Sequence, residues 1–252
     1  MMNASVDAEV TEDVLLGGRI RVRQPARGYR VNVDTLLLAA AVQVREAAHV
    51  VELGCGVATA LLAAAKIAPD GARFTGIERD PSYAALAREN VALNGLSGRV
   101  DIVEADALNP RAAFALFDAV MFNPPYDAPG DGRTPGAGKE AAFVGEQPIE
   151  AWIKIWSNRM RANAEMTLIH RAHRLGDILS ALDGRLGGVE VLPIRPNAMA
   201  PAHRVLVRAR KGSRAPLTLL RGLDLHPDDG GDAKYAPRAE AILRGLAPLR
   251  FE

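Results

Sequence analysis

The sequence predicts an α/β fold built on a doubly wound sheet, mostly parallel, with antiparallel strands at one edge. Three observations predict it. From His49 onward, short apolar runs alternate with longer stretches of helical period, the pattern left by stacked βαβ units. The segment HVVELGCGVATALLAAA reads as an apolar strand, a Gly-x-Gly turn and a helix, the local geometry of a ligand-binding strand end. After Glu190, three apolar segments follow one another too closely to hold crossover helices, so they are expected to pair antiparallel.

The parallel strands are expected at His49 to Leu53, Arg73 to Glu78, Arg99 to Glu104, Phe117 to Phe122 and Glu165 to His170. Each is short, apolar and bounded by Gly, Asp, Asn or Pro. The clearest helix is Pro81 to Asn94, with Asp80 as its cap, Leu86 and Leu93 near one face, and Asn94-Gly95 as its stop. The edge strands are carried by VEVLPIRP, HRVLVRARKG and PLTLLRGLDL, and a last helix fits between Tyr235 and Leu246. Gly and Pro recur from Asp127 to Gln147 with too few apolar residues to pack, which predicts a mobile loop.

With 252 residues, 48% of them hydrophobic and 24% charged, the chain can bury one substantial core. Residues 1–45 read as an N-terminal hairpin and helix segment, and 46–252 as the main domain with a basic C-terminal edge. The single cysteine, Cys55, excludes an internal disulfide and a thiol-based zinc site. The first residues lack the features of a secretory signal, and Thr35 to Val44 is too short to span a bilayer, so a soluble cytoplasmic protein is expected. The five histidines show no zinc-ligand spacing, and no metal is expected.

Gly54 and Gly56 allow backbone to approach a ligand closely. Dinucleotide sites carry a third glycine where this chain has Thr59, and Glu52 adds a carboxylate that repels phosphate. A cationic ligand without phosphate reverses that preference, and S-adenosylmethionine, with its sulfonium and amino group, is such a ligand. Glu78 ends the next strand where an acid accepts hydrogen bonds from both ribose hydroxyls, with Arg79 beside it. Asp106, followed by Ala107, stands after the third strand, where it can take an adenine amino group. Any one of these acids could instead be a helix cap; three at successive strand ends favour a ligand.

Asn123-Pro124-Pro125-Tyr126 follows the fourth strand. An amino group on an aromatic ring or amide is a poor nucleophile, because its lone pair is delocalised. The Asn123 oxygen and the Pro124 carbonyl are two acceptors able to hold both N–H bonds and steer the nitrogen toward tetrahedral geometry. Pro125 stiffens the corner, and Tyr126 offers a ring for stacking on a flipped base or a planar amide. A Pro-rich turn capped by Asn is the structural alternative.

Together with ELGCG, this NPPY tetrad resembles the class I methyltransferases that act on amino nitrogens, which have a Rossmann-like sheet and include N6-adenine and protein-glutamine enzymes. Upstream, LLGGRIRVRQPARGYRVNVDTLLLAAA resembles the N-terminal segment of bacterial tRNA adenine-N6 methyltransferases of the anticodon loop. The resemblance continues through PAHRVLVRARKGSRAPLTLL and LDLHPDD, leaving only Asp127 to Gln147 unmatched. It implies that residues 1–45 complete the cofactor pocket and that Tyr29, Arg30, Asp34 and Thr35 line it; a helix cap at Asp34 is the alternative. The implied activity is methyl transfer from S-adenosylmethionine to N6 of an adenine in RNA, most simply tRNA.

Arg195, Arg204, Arg208, Arg210, Lys211, Arg214 and Arg221 fall in a stretch free of Asp and Glu, which suggests an RNA phosphate-tracking edge. Some would instead line the solvent face of an edge strand. Rival readings are a glutamine methyltransferase acting on a release factor, a guanine-N2 rRNA enzyme, and an RNA-binding module that keeps the fold without turnover.

Overall fold

The computed structural model describes residues 9–27, 31–109, 116–124, 148–228 and 233–251. The expected loop from Asp127 to Gln147 lies outside them, as do Tyr29, Arg30, Pro125 and Tyr126.

The chain opens with an antiparallel hairpin of β1 (Val10–Leu15) and β2 (Ile20–Pro25), closed by a turn in which Gly17 and Gly18 have φ of 64° and 91°. Helix α1 (Val33–Ala41) follows, capped by Asn32, whose side chain accepts the Thr35 N–H. Strands and helices then alternate: β3 (His49–Leu53), α2 (Thr59–Ile67), β4 (Arg73–Glu78), α3 (Pro81–Leu93), β5 (Val100–Glu104) and β6 (Phe117–Phe122). After α4 (Ile149–Ser157) come β7 (Met160–Arg171), α5 (Leu175–Leu182), β8 (Gly187–Arg195), β9 (Arg204–Arg210), β10 (Thr218–Leu219), β11 (Leu223–Asp224) and α6 (Pro237–Leu243).

The main sheet has nine strands in the order β10-β8-β9-β7-β6-β3-β4-β5, with β11 also on β8. Strands β3 to β7 are mutually parallel, and β9 runs against both β7 and β8. Both faces are covered. Val50, Phe74, Met121, Ile169 and Leu206 face α1, α2 and α6, while Val51, Ile77, Val120, Phe122 and Leu168 face α4 and α5. Coverage on both sides explains why the central strands read as continuous apolar runs.

The last edge departs from expectation. The segment PLTLLRGLDL forms two short strands that pair with β8 in parallel, not antiparallel. The cause is where β9 ends: Arg210 lies opposite Gly187, at the start of β8. The chain crosses outside β8 there, and β10 can only run in the same direction as β8. Gly187 and Gly188 permit the crossing, since a Cβ on either would lie 2.1 Å from the Ser213 carbonyl oxygen or 2.6 Å from its Oγ.

Helix α3 holds the expected bounds, with Asp80 accepting the Ser82 and Tyr83 N–H groups and Gly95 at φ 67°. Its deepest residues are Ala84, Ala87, Asn90 and Val91 rather than Leu86 and Leu93, because small side chains let it approach β2. Asn90 accepts the Arg23 N–H at 2.8 Å and donates to the Arg23 carbonyl at 2.8 Å. Asn94 does the same for Arg21, at 2.9 and 2.7 Å. Four residues of helix advance about 6 Å and two residues of strand about 6.6 Å, so the two amides match the free edge of β2 like a surrogate strand.

Candidate active site

The parallel strands and β8 all end on one side of the sheet, and Glu52, Gly54, Gly56, Glu78, Asp106 and Asn123 lie at or just beyond strand ends there. Beyond β3 the turn carries three left-handed residues, Gly54 (φ 63°), Gly56 (φ 54°) and Ala58 (φ 67°). Its backbone is tied down by Cys55 N–H to the Ile77 carbonyl at 3.0 Å and Ala58 N–H to the Cys55 carbonyl at 2.8 Å. A Cβ at Gly54 would touch the Trp152 indole at 3.5 Å, whereas one at Gly56 would meet nothing within 4 Å. The turn is thus packed from below by Trp152, itself stacked on Phe122, and open above Gly56.

Glu78, at the end of β4, accepts the Gly56 N–H through Oε2 at 2.8 Å and the Asp80 N–H through Oε1 at 2.9 Å. Each carboxylate oxygen keeps a second lone pair, so the group is oriented without being saturated. Arg79 is exposed at the same strand end. Asp106 follows β5, exposed, with Oδ1 accepting the Leu108 N–H at 2.8 Å. Ala107 is buried, and its carbonyl accepts the Trp156 indole N–H at 2.8 Å.

Glu52 is buried in β3, and burial, reinforced by the neighbouring Glu78 carboxylate, holds its carboxyl well above the usual range. The Leu61 N–H partly offsets this, but Oε2 has no hydrogen-bond partner. The Cys55 thiol is likewise pushed well up, by burial first and by Glu52 and Glu78 next, which keeps it protonated and inert.

Asn123 and Pro124 continue β6, next to β3, and the Asn123 Oδ1 is buried without a partner. Among the described residues four buried side-chain polar atoms are unpartnered, and three of them, on Glu52, Thr59 and Asn123, belong to the ends of β3 and β6 or to the start of α2. An unsatisfied buried polar group costs about 1–3 kcal/mol. Three of them at neighbouring element ends, with the carboxyl groups of Glu52 and Glu78 beside them, fit a ligand that brings positive charge and N–H groups. Phosphate would meet Glu52 and Glu78.

Asp34 and Thr35 are buried in the first turn of α1, and Asp34 Oδ2 accepts the Arg204 Nε–H at 3.0 Å. The pair joins the N-terminal segment to the start of β9 at the same end of the sheet.

The structure divides the expected basic edge. Arg204 and Arg195, the latter paired with Asp224 at 2.6 Å, lie at the end of the sheet where the parallel strands terminate. Because β9 runs antiparallel and sits between β7 and β8, it carries Arg208, Arg210 and Lys211 away from that end. Arg208 is buried, paired with Glu190 at 2.7 Å, and lies 4.1 Å over the Phe251 ring. Arg210 pairs with Glu165 at 2.5 Å, and the Lys211 Nζ donates to the carbonyls of Ser157 and Met160 at 2.8 and 2.9 Å. Arg214 and Arg221 are exposed. Four arginines of a stretch without acids in sequence, Arg195, Arg204, Arg208 and Arg210, are paired in space with Asp224, Asp34, Glu190 and Glu165.

Sequence reasoning missed Trp152, Asn90 and the orphaned Thr59 hydroxyl. Only Asn90 left a signal, as a polar residue on the inner face of a helix.

Comparison with known proteins agrees with this geometry. A family model for the methyltransferase small domain matches residues 28–137. A tRNA1(Val) (adenine(37)-N6)-methyltransferase of Yersinia enterocolitica is 26% identical over 217 residues, covering 85% of this chain and 84% of its own. An enzyme of the same description from Aeromonas hydrophila is 27% identical over 184 residues, covering 73% and 77%. Among solved structures, one described as a predicted O-methyltransferase from Agrobacterium tumefaciens superimposes with a TM-score of 0.71 at 30% identity, covering 86% of this chain and 98% of its own.

Proposed function

This chain belongs to the class I S-adenosylmethionine-dependent methyltransferases, and we propose from that premise that it methylates the exocyclic N6 of an adenine in RNA, with tRNA the substrate. The observation that carries the reading is the buried, unpartnered Oδ1 of Asn123 at the end of β6. An amide oxygen in that position accepts an N–H; it is far too weak a base to deprotonate a hydroxyl, so the site suits nitrogen rather than oxygen methylation. The substrate assignment draws support from the relatives named as tRNA adenine-N6 enzymes, which match along most of the chain.

The bound donor supplies an electrophilic methyl group on a sulfonium. The Gly54 to Gly56 turn gives it backbone contact, Glu78 takes the ribose hydroxyls, Asp106 takes the adenine amino group, and Glu52 faces its cationic portion. Asp34 and Thr35, with Tyr29 and Arg30 by resemblance, complete the pocket from residues 1–45. Asn123 Oδ1 and the Pro124 carbonyl hold the two hydrogens of the target amino group, which turns the nitrogen lone pair out of the ring system. That pair forms the new N–C bond as the S–C bond breaks, with its electrons left on sulfur. The extra proton then leaves to water, and no side-chain base is needed. By resemblance to the NPPY enzymes, Tyr126 would stack on the extruded base, a contact worth about 1–3 kcal/mol.

The test is transfer of label from S-adenosylmethionine to bulk tRNA, rRNA and a release factor in parallel, with digestion of labelled RNA to nucleosides. N6-methyladenosine from tRNA is the expected product. Label confined to the release factor would replace the reading with glutamine methylation, and N2-methylguanosine from rRNA would replace it with the guanine enzyme.

A further inference from the structure

Between β8 and β9, at the catalytic end of the sheet, the chain makes a loop from Pro196 to His203 that presents Met199 at 90% exposure. One exposed methionine is ordinary on a protein surface. Two features set this one apart. The first is that its loop is braced on both sides. Ala198 N–H donates to Asp228 Oδ1 at 3.0 Å, and Met199 N–H to Asn197 Oδ1 at 3.1 Å. The His226 N–H reaches the Pro196 carbonyl at 2.7 Å, and the Ala172 N–H, just beyond β7, reaches the His203 carbonyl at 3.1 Å. A long apolar side chain is therefore held out into water by a backbone that cannot fold it back.

The second is what surrounds it. His226, joined to the loop by that bond, is exposed and stacks on Tyr235 with centroids 5.7 Å apart and planes 14° apart. The Lys234 ammonium lies 5.2 Å over the same tyrosine ring. An apolar projection, an aromatic pair and a cation on one ledge are the groups that engage a nucleic-acid strand: a wedge between bases, a stacking surface and a phosphate partner. The ledge stands two to three strands from Asn123, about 10–14 Å at the spacing of sheet strands. That separation suits nucleotides flanking a base drawn into the site rather than the base itself.

We propose that Met199 is a wedge that enters the RNA stack beside the target adenine and holds the adenine out of it, with His226 and Tyr235 supporting the neighbouring base. The proposal rests on the RNA reading above and gives it a mechanism. A base flipped into a pocket leaves a gap in its strand, and filling that gap with an apolar side chain opposes its return. Met199 touches neither donor nor reacting nitrogen; it is a positioning residue.

The experiment compares wild type, Met199→Ser and Met199→Leu on unmodified transcribed tRNA and on an unstructured adenine-containing oligoribonucleotide. Thermal midpoint and donor affinity serve as controls. On tRNA, Met199→Ser is expected to lower kcat roughly tenfold, the scale of a lost aid to unstacking. KM, donor affinity and thermal midpoint should stay unchanged, and Met199→Leu should restore the rate. On the unstructured strand, with little stacking to break, all three should act alike. Equal kcat for wild type and Met199→Ser on tRNA would overturn the wedge while leaving RNA methylation standing. Absence of wild-type transfer to any RNA, with label on protein instead, would overturn the RNA reading and the wedge together.

Discussion

Asn90 donates its side-chain N–H to the Val57 carbonyl at 3.0 Å while the same amide holds both backbone groups of Arg23. One fully buried side chain thereby joins the glycine turn beyond β3 to the N-terminal hairpin. Asn90→Ala leaves three backbone groups without a partner and should cost about 2–4 kcal/mol of stability. Donor affinity should fall as well, because the turn loses a brace. Urea unfolding and donor calorimetry read the two effects. Asn94→Ala, at a more exposed position, should cost about 1 kcal/mol and leave donor binding alone.

Asn123→Ala should lower turnover roughly 100-fold or more while donor affinity stays within a few-fold, the signature of a preorganised group used only in the transition state. Single-turnover rates with saturating donor decide it. A proportionate loss of donor affinity would place Asn123 in the donor pocket instead.

Glu52 should oppose stability at neutral pH and favour donor binding, because burial and the Glu78 carboxylate raise its pKa in the folded chain above the ordinary 4.5. The sign follows from linkage: a carboxyl with a raised folded pKa takes up its proton on folding, so its contribution improves as pH falls from that raised value toward 4.5. Glu52→Gln should therefore unfold at equal or higher urea concentration than wild type at pH 7, yet bind donor more weakly. A variant that loses stability at pH 7 would show that the Glu52 carboxyl makes a net favourable contribution to the fold, against a raised pKa.

His170, near the end of β7, has its pKa lowered to about 4 by burial first and by the Arg174 cation next. Above 6.5 it is neutral in both folded and unfolded chains. Between 6.5 and about 4 only the unfolded chain takes the proton, so stability drains away across that window, by about 3 kcal/mol at most. His170→Gln should flatten the fall in urea midpoint between pH 6.5 and 4.5, and an unchanged slope would assign the acid sensitivity to other groups.

Much of this architecture was legible without coordinates, and the parts that were share a cause. The bounds of β3, β4 and β6 and the caps of α3 follow from local rules: apolar runs, a proline after Asp80, a glycine after Asn94. The conjunction of Glu52, Gly54, Gly56, Glu78 and Asn123 was legible for the same reason. Parallel strands with crossover helices bring their ends to one side, so residues found at strand ends in sequence meet in space.

What the chain could not show on its own was direction and partnership over long separations. The antiparallel course of β9 sends Arg208, Arg210 and Lys211 away from the site, and Glu190 and Glu165 neutralise the two arginines. Asp34 meets Arg204 across 170 residues, which no periodicity encodes. Parallel pairing of β10 with β8 depended on where β9 happened to end, and the Met199 ledge depended on Asp228 accepting the Ala198 N–H and on the His226 N–H donating to the Pro196 carbonyl. The sequence by itself determined the secondary elements and the chemistry at their ends, because propensity and capping are settled within a few residues. Only tertiary structure decided which charges are spent internally and which end of the sheet each basic residue reaches, because those depend on strand order and on acids that arrive from distant segments.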